Sequence, residues 1–482
     1  MSELHYLSAR DALRLFRSRE LSPVELLDSV ITRSERVEPT VNALCHRFFE
    51  EARAQAREAE ARYMGRGEVP RPLEGIPTAI KEEEEVAGQP WTQGSLIYKD
   101  TIAEHSSSFA QRILDSGAIV HARTTAPEFS CAGFTHSRLW GVTRNPWNSD
   151  YGVGGSSGGS GAALASGTTT LASGSDIGGS IRIPAAYNGV VGFKPPYGRV
   201  PQATPFNLDV YCHCGPMART VADCALFENV LAGPHPHDHV SLRPKVEIPA
   251  ELESAAGLRI ALSVDLGDHP VDPDVAAATL AAAAALREAG VHVEEVDLHL
   301  PSAKVNRAAE LHFALGFAAW INATAAEHRD LMTAYALDFA RWTAEYAHPG
   351  AQLEKMEIEA ALYPPLGELL ERYDALLCAT CGSRGLLAGD DYVDHGLDVG
   401  GHEVRHYFDS MLTPAFNILS RCPVLVVPGG FADNGLPVGV QIVGRTYDDV
   451  TPFRLGAALE QVRPWLDADQ RRPVIMQGAP TT

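Results

Sequence analysis

The sequence predicts an α/β fold in which a mixed β-sheet is covered by helices on both faces. Strand-like and helix-like segments alternate along the chain, and Leu258–Ser263, Asp272–Ala289 and Gly290–Val296 read as a β-α-β unit. Between the apolar runs Val424–Val427 and Val438–Val443, Asp433-Asn434-Gly435 is a strong hairpin signal, which adds antiparallel pairing. Length alone, 482 residues, suggests about three domains of ~150 residues each.

Taken in order, residues 8–62 read as helical. Ser22-Pro23-Val24-Glu25 fits an N-cap, proline at the first helical position and an acid in the first turn. Leu26, Leu27, Val30 and Ile31 then form an apolar stripe, and Ala52–Arg62 reads as a charged, exposed helix. A loop at 65–72 leads to a short strand, Ile76–Lys81, that ends on the lysine. Ala118–Arg123 is a strand and 124–133 a loop. Residues 215–233 look helical with Thr220 as cap, and 234–250 form a junction rich in proline and histidine. The segment 302–373 reads as mostly helical, and its Phe313, Phe317, Trp320, Trp342 and Tyr346 are expected in the core. Tyr373–Cys378 is a buried strand, and Asp448–Val462 a closing helix.

Composition narrows the function classes. Lys+Arg 40 against Asp+Glu 61 gives a net charge of −21, which disfavours nucleic acid and anionic membranes as partners. No run of about 18 uncharged apolar residues occurs and the N-terminus lacks a signal-peptide layout, so a soluble, cytoplasmic chain that spans no membrane is expected. Eight cysteines do not make a disulfide framework. Cys378–Cys381 and Cys212-His213-Cys214 lack a second ligand pair at zinc-like spacing, so no metal and no cofactor is expected; the histidines of 235–239 read as a solvated loop.

The most informative stretch is Gly154–Ser180, GGSSGGSGAALASGTTTLASGSDIGGS, in which Asp176 is the only ionisable side chain. It reads as loop, tightly packed helix, buried strand, loop, with Ser157 and Ser160 capping the helix. Glycine turns of this kind leave bare N–H groups aimed at one point, which suits an oxyanion or a phosphate. The phosphate motifs fail on the letters: Ser160 stands where a Walker loop needs lysine, and Ser157 where the dinucleotide fingerprint needs its third glycine. Arg182 excludes the G-x-S-x-G elbow. Serine chemistry remains.

Together with Lys81, the motifs GGSSGGS at 154–160, GSDIGGSIRIPAA at 174–186 and GVVGFKPPYGRVP at 189–201 resemble the amidase signature family of serine hydrolases. The resemblance implies one large domain over 1–482, with N-terminal helices at 1–65, a catalytic core at 73–233, a variable region at 234–375 and a C-terminal part at 376–482. It implies a triad of nucleophile Ser180, relay Ser156 in a cis peptide, and base Lys81. Backbone N–H groups of Ile177, Gly178, Gly179 and Ser180 would form the oxyanion hole, with Asp176, Arg182 and Ser157 in support: Asp176 orienting the loop and Arg182 anchoring it. A homodimer is also implied.

The chain departs from the family at Glu82–Glu85, where one acid and an amide are usual. Alone, the run reads as a solvated acidic turn. Acidic neighbours favour a charged lysine, against what a general base needs, so most of these carboxylates are expected to point away from the site, with one in hydrogen-bonded support. By position in the family, the substrate pocket falls to Phe129, Ser130, Cys131, Phe134, Phe206, Tyr211 and Cys381, together with the variable segment 310–350. That mainly apolar set, with no cationic clamp, suits a small aryl or alkyl amide or a carbamate. Two rivals stand: an amidotransferase A-type glutaminase, although that relative usually has glutamine where this chain has Ile183, and a catalytically inactive binding protein on the same fold.

Overall fold

The structure, a computed structural model, describes residues 3–324, 326–466 and 472–475; both ends of the expected 1–482 domain, residues 1–2 and 476–482, lie outside the described residues. Eleven strands among the described residues form one sheet: β1 (Leu44–Arg47), β2 (Pro77–Lys81), β3 (Ile119–Thr124), β4 (Leu171–Asp176), β5 (Val191–Lys194), β6 (His213–Ala218), β7 (Arg259–Leu262), β8 (His292–Glu295), β9 (Ala375–Ala379), β10 (Val424–Phe431) and β11 (Pro437–Gly444). Their spatial order is β1-β3-β2-β4-β6-β5-β10-β11-β9-β7-β8. Pairing is parallel for β3-β2-β4 and for β9-β7-β8, and antiparallel elsewhere. The chain is thus a single domain with one large mixed sheet flanked by helices. No helix among the described residues is long and apolar enough to cross a membrane.

Local chemistry accounts for many boundaries. Ser22 Oγ accepts from Val24 N–H while the Glu25 carboxylate accepts from Ser22 N–H, closing a capping box at the start of Pro23–Val41. Thr220 Oγ1 accepts from Asp223 N–H and opens the helix Val221–Leu231. The β10–β11 hairpin turns through Ala432–Gly435, where Ala432 N–H donates to Leu436 O at 2.9 Å and Gly435 has φ +81.

Three expectations need correction. Residues 213–218 are strand β6, wedged antiparallel between β4 and β5, and only the part after Thr220 is helical. Leu44–Arg47, inside the expected helical region 8–62, pairs with β3 instead. The helix Phe49–Tyr63 is not simply exposed: Ala52, Ala56, Ala59 and Tyr63 form a buried stripe. Residues 302–370 are mainly helical, as Ser302–Leu315, Phe317–Thr324, Ala334–Ala344 and Ala351–Leu370.

Removing the Thr220 cap tests the local reading. Thr220→Ala is expected to cost about 1 kcal/mol of stability, seen as a lower urea midpoint with an unchanged slope.

Candidate active site

Lys81 ends β2, and the neighbouring parallel strand β4 ends at Asp176, so both strands deliver their last residues to the same edge of the sheet. The Lys81 side chain is fully buried. Its Nζ donates to Ser156 Oγ at 2.6 Å and to Ser175 Oγ at 2.8 Å, and lies 3.0 Å from Glu83 Oε1. Three acceptors match the three N–H groups of an ammonium. A neutral amine has two N–H groups and one lone pair, and an ionised carboxylate can only accept, so that lone pair must then face a serine hydroxyl. The site can therefore hold lysine in either state and exchange a proton with a serine. Sequence reasoning did not single out Ser175; its signal was alternation along β4, which turns Ser173 and Ser175 to one face. Ser173 Oγ accepts from Lys81 N–H at 2.9 Å.

The acidic run overturns the expectation of a solvated turn. Glu82 is fully buried and its carboxylate accepts from the N–H groups of Thr92 and Gly94. Glu84 is buried too, accepting from Ser107 Oγ at 2.6 Å and Cys214 Sγ at 3.4 Å. Burial, with the Glu83 charge adding to it, pushes the Glu84 carboxyl up. Glu83 is the one in support of Lys81, and it also accepts from Ser130 Oγ. Burial alone would raise its carboxyl, but the Lys81 charge and the Ser130 and Ser175 hydroxyls outweigh that and hold it below its usual range. The buried Arg123 guanidinium, on β3, donates to the carbonyls of Ile80, Lys81, Glu82, Glu84 and Pro90 and so fixes the path of the run.

Ser156 follows a cis Gly155–Ser156 peptide. A Cβ on Gly155 would stand 2.4 Å from Phe134 O, so only glycine fits there. Ser157 and Ser160 do not cap the small-residue helix Gly158–Ser166. Ser157 Oγ instead meets the backbone of Ser175, and Ser160 Oγ donates to Ser173 O at 2.8 Å, tying the helix to β4. Ser180 sits on the turn after β4 and has no side-chain hydrogen bond among the described residues.

Asp176 and Arg182 hold that turn. Arg182 Nε and Nη2 donate to the two Asp176 oxygens, both at 2.9 Å, and Nη1 continues to Thr413 O and Gln441 Oε1. Burial would raise the Asp176 carboxyl, but the guanidinium and Asn417 keep it far below the ordinary carboxylate range. Asp176 also accepts from Gly179 N–H at 2.8 Å and Ile181 N–H at 3.2 Å. This corrects the expected oxyanion set: the Gly179 N–H is taken, while those of Ile177, Gly178 and Ser180 have no acceptor among the described residues. Gly179 has φ +127, and a Cβ there would lie 2.2 Å from Thr413 Oγ1.

Two cavities adjoin these serines. The smaller, about 30 Å³, touches Ser180, Ile177, Gly178 and Cys131 and is walled by Phe313, Phe317, Phe339, Trp342, Tyr407 and Phe408. The larger, about 260 Å³, touches Ser156, Ser175 and Glu83–Glu85, with Phe129, Phe206, Phe317 and Trp320 among its walls. Of the expected pocket residues, Phe129, Ser130, Cys131 and Phe206 line one or both. Phe134, Tyr211 and Cys381 line neither. Phe134 packs on His136, Tyr335 and Tyr407; Tyr211 stacks on His312 at 3.7 Å; and Cys381 is buried beside Tyr187. The segment 310–350, also assigned to the pocket by position in the family, lines the cavities through Phe313, Phe317, Trp320 and Trp342, while Phe313 and Phe317 are at the same time buried in the core as expected.

A family model described as Amidase matches residues 25–452. The A-type component of the glutamyl-tRNA(Gln) amidotransferase of Chloroflexus aggregans is 34% identical, over 98% of this chain and 99% of that protein. An acylamidase of Rhodococcus erythropolis is 33% identical, over 96% of this chain and 97% of its own length. The crystal structure of a bacterial aryl acylamidase, described as an amidase signature enzyme, superposes with a TM-score of 0.88 at 31% identity, covering 96% of this chain and 98% of that one.

Replacing Arg182 with methionine leaves Asp176 buried without a counter-charge. We expect a loss of about 3–5 kcal/mol in denaturant unfolding, far more than for Asp176→Asn combined with Arg182→Met, which removes both charges.

Proposed function

The chain belongs to the amidase signature family, and from that premise we propose that it hydrolyses the C–N bond of a small amide through an acyl-enzyme on Ser180. The observation that carries this reading is the 2.6 Å contact between buried Lys81 Nζ and Ser156 Oγ, beside a turn that presents Ser180 and N–H groups unpaired among the described residues. An unassisted serine hydroxyl is a weak nucleophile and needs a base within reach. Here the Ser180 proton passes to Ser156 as the Ser156 proton passes to Lys81, and Ser180 Oγ bonds to the carbonyl carbon. A hydrogen bond between catalytic groups is often long in a free enzyme and tightens only in the substrate complex. The N–H groups of Ile177, Gly178 and Ser180 receive the oxyanion, each donor being worth about 3 kcal/mol of transition-state stabilisation. The C–N bond then breaks as the proton returns through Ser156 to the departing nitrogen. Water, deprotonated by the same relay, releases the acid.

The cavities support an aryl or alkyl amide with a short acyl group. A space of about 30 Å³ beside Ser180 suits the methyl of an acetyl group; a carbamate carbonyl would be open to the same attack. The acylamidase and aryl acylamidase relatives support the anilide branch. A partner-dependent glutaminase is the second reading, favoured by the 34% identity to an A-type amidotransferase component. The apolar wall, which includes Ile183, argues for the first.

A hydrolysis screen of anilides, aliphatic amides, carbamates and glutamine on purified protein decides between them. Turnover of acetanilides without glutaminase activity is the expected result; glutamine hydrolysis that appears only with partner proteins would reverse the choice. Ser180→Ala is expected to abolish turnover and covalent labelling by a fluorophosphonate, whereas an adduct on that variant would remove Ser180 as nucleophile. An unlabelled wild-type protein would instead indicate an inactive binding protein.

Glu83→Gln removes a negative charge 3.0 Å from Nζ and so favours the neutral amine. The alkaline-rising limb of kcat/KM is expected to move to lower pH. A limb that stays in place would show that Lys81 is not the titrating base.

A further inference from the structure

We infer that the larger cavity receives the amine half of the substrate and that this half carries a second, cationic nitrogen; the inference rests on the amidase reading above. The relay sets the direction. The departing nitrogen must take its proton from Ser156, which lines the larger cavity, while Ser180 and the free oxyanion N–H groups line the smaller. The acyl half therefore points into the small apolar space and the amine half into the chamber of about 260 Å³.

The walls of that chamber define what it accepts. Trp91, Phe129, Phe206, Phe317 and Trp320 supply ring faces and edges; Phe206 and Phe317 each stand edge-on to or stacked with Trp320, which packs against Phe129 as well. Four acidic residues, Glu83, Glu84, Glu85 and Asp176, line the same space, and no lysine or arginine lines it among the described residues. His213 also faces it, held neutral by burial and by the adjacent Lys194, which bring it down to about 3. The carboxylates are not equivalent. Glu83 is matched by Lys81, Glu84 accepts from Ser107 and Cys214, and Asp176 is matched by Arg182. The side chain of Glu85 makes no hydrogen bond or ion pair among the described residues. It is the negative charge left for a ligand, beside aromatic rings that attract cations through their faces. An ammonium on the amine half meets both; a carboxylate there is repelled.

The test uses three acetanilides matched in size and differing in the para group: 4′-(aminomethyl)acetanilide (cation), 4′-ethylacetanilide (neutral) and 4-acetamidobenzoate (anion). Calorimetric binding to the Ser180→Ala protein is expected to favour the cation over the neutral compound by about tenfold, with the anion weakest. Added salt should narrow the gap, and Glu85→Gln should erase most of it. Equal affinity for cation and neutral compound, or an anion preference, would overturn the inference. Wild-type turnover separates the two readings. Hydrolysis of all three without preference, and equal binding, would sink the cationic site and leave the amidase. Selective binding of the cation without hydrolysis of any would do the reverse.

Discussion

The site depends on one buried ion pair, Asp176 with Arg182. Asp176 is the last residue of a central strand, and Arg182 opens the next helix, so the pair closes the turn that carries Ser180. Both side chains are wholly shielded from water. Such a pair is tolerable only when every donor and acceptor is matched, and here Asn417, Gln441, Thr413 O and three backbone N–H groups complete the set. The side-chain and carbonyl partners come from the C-terminal part of the chain. The turn is therefore fixed by residues more than 230 positions away, and its open N–H groups are aimed by that network rather than by the glycines alone.

A second constraint operates around Lys81. An amine in a dry site needs acceptors, and Ser156, Ser175 and Glu83 supply one for each N–H of the charged form. A hydroxyl can accept from the ammonium or donate to the amine, so the lysine stays hydrogen-bonded in either state. Arg123 makes this possible from the neighbouring strand, because its guanidinium satisfies the carbonyls of the segment that carries the acids. Charge and backbone satisfaction are solved together, in the space of a few residues.

The two cavities follow from where the serines stand. Small residues along 154–166 let that helix press against the sheet, which leaves Ser156 and Ser180 on adjoining walls rather than in one pocket. One space is small and apolar, the other larger, aromatic and acidic. An amide has two unlike halves, and a divided site of this kind can read them separately.

The sequence by itself determined what short-range chemistry dictates. The capping box at Ser22, the Thr220 cap and the Asp433–Gly435 hairpin each involve groups a few residues apart, so their geometry is nearly implied by their order. Lys81, Ser156 and Ser180 were singled out by resemblance to the amidase signature motifs, and the fold brings Lys81 Nζ within 2.6 Å of Ser156 Oγ. Tertiary structure decided the rest. Four consecutive glutamates look solvated until Thr92, Gly94 and Ser107 arrive from other segments to meet the Glu82 and Glu84 carboxylates, and Arg123 to meet the backbone carbonyls of the run. The Gly179 N–H looks free until Asp176 turns back to accept it. Helical spacing said that Phe313, Phe317, Trp320 and Trp342 would be covered, but not by what. Whether a buried ring faces protein or a cavity depends on the element packed opposite, and periodicity along one helix carries no information about its neighbour.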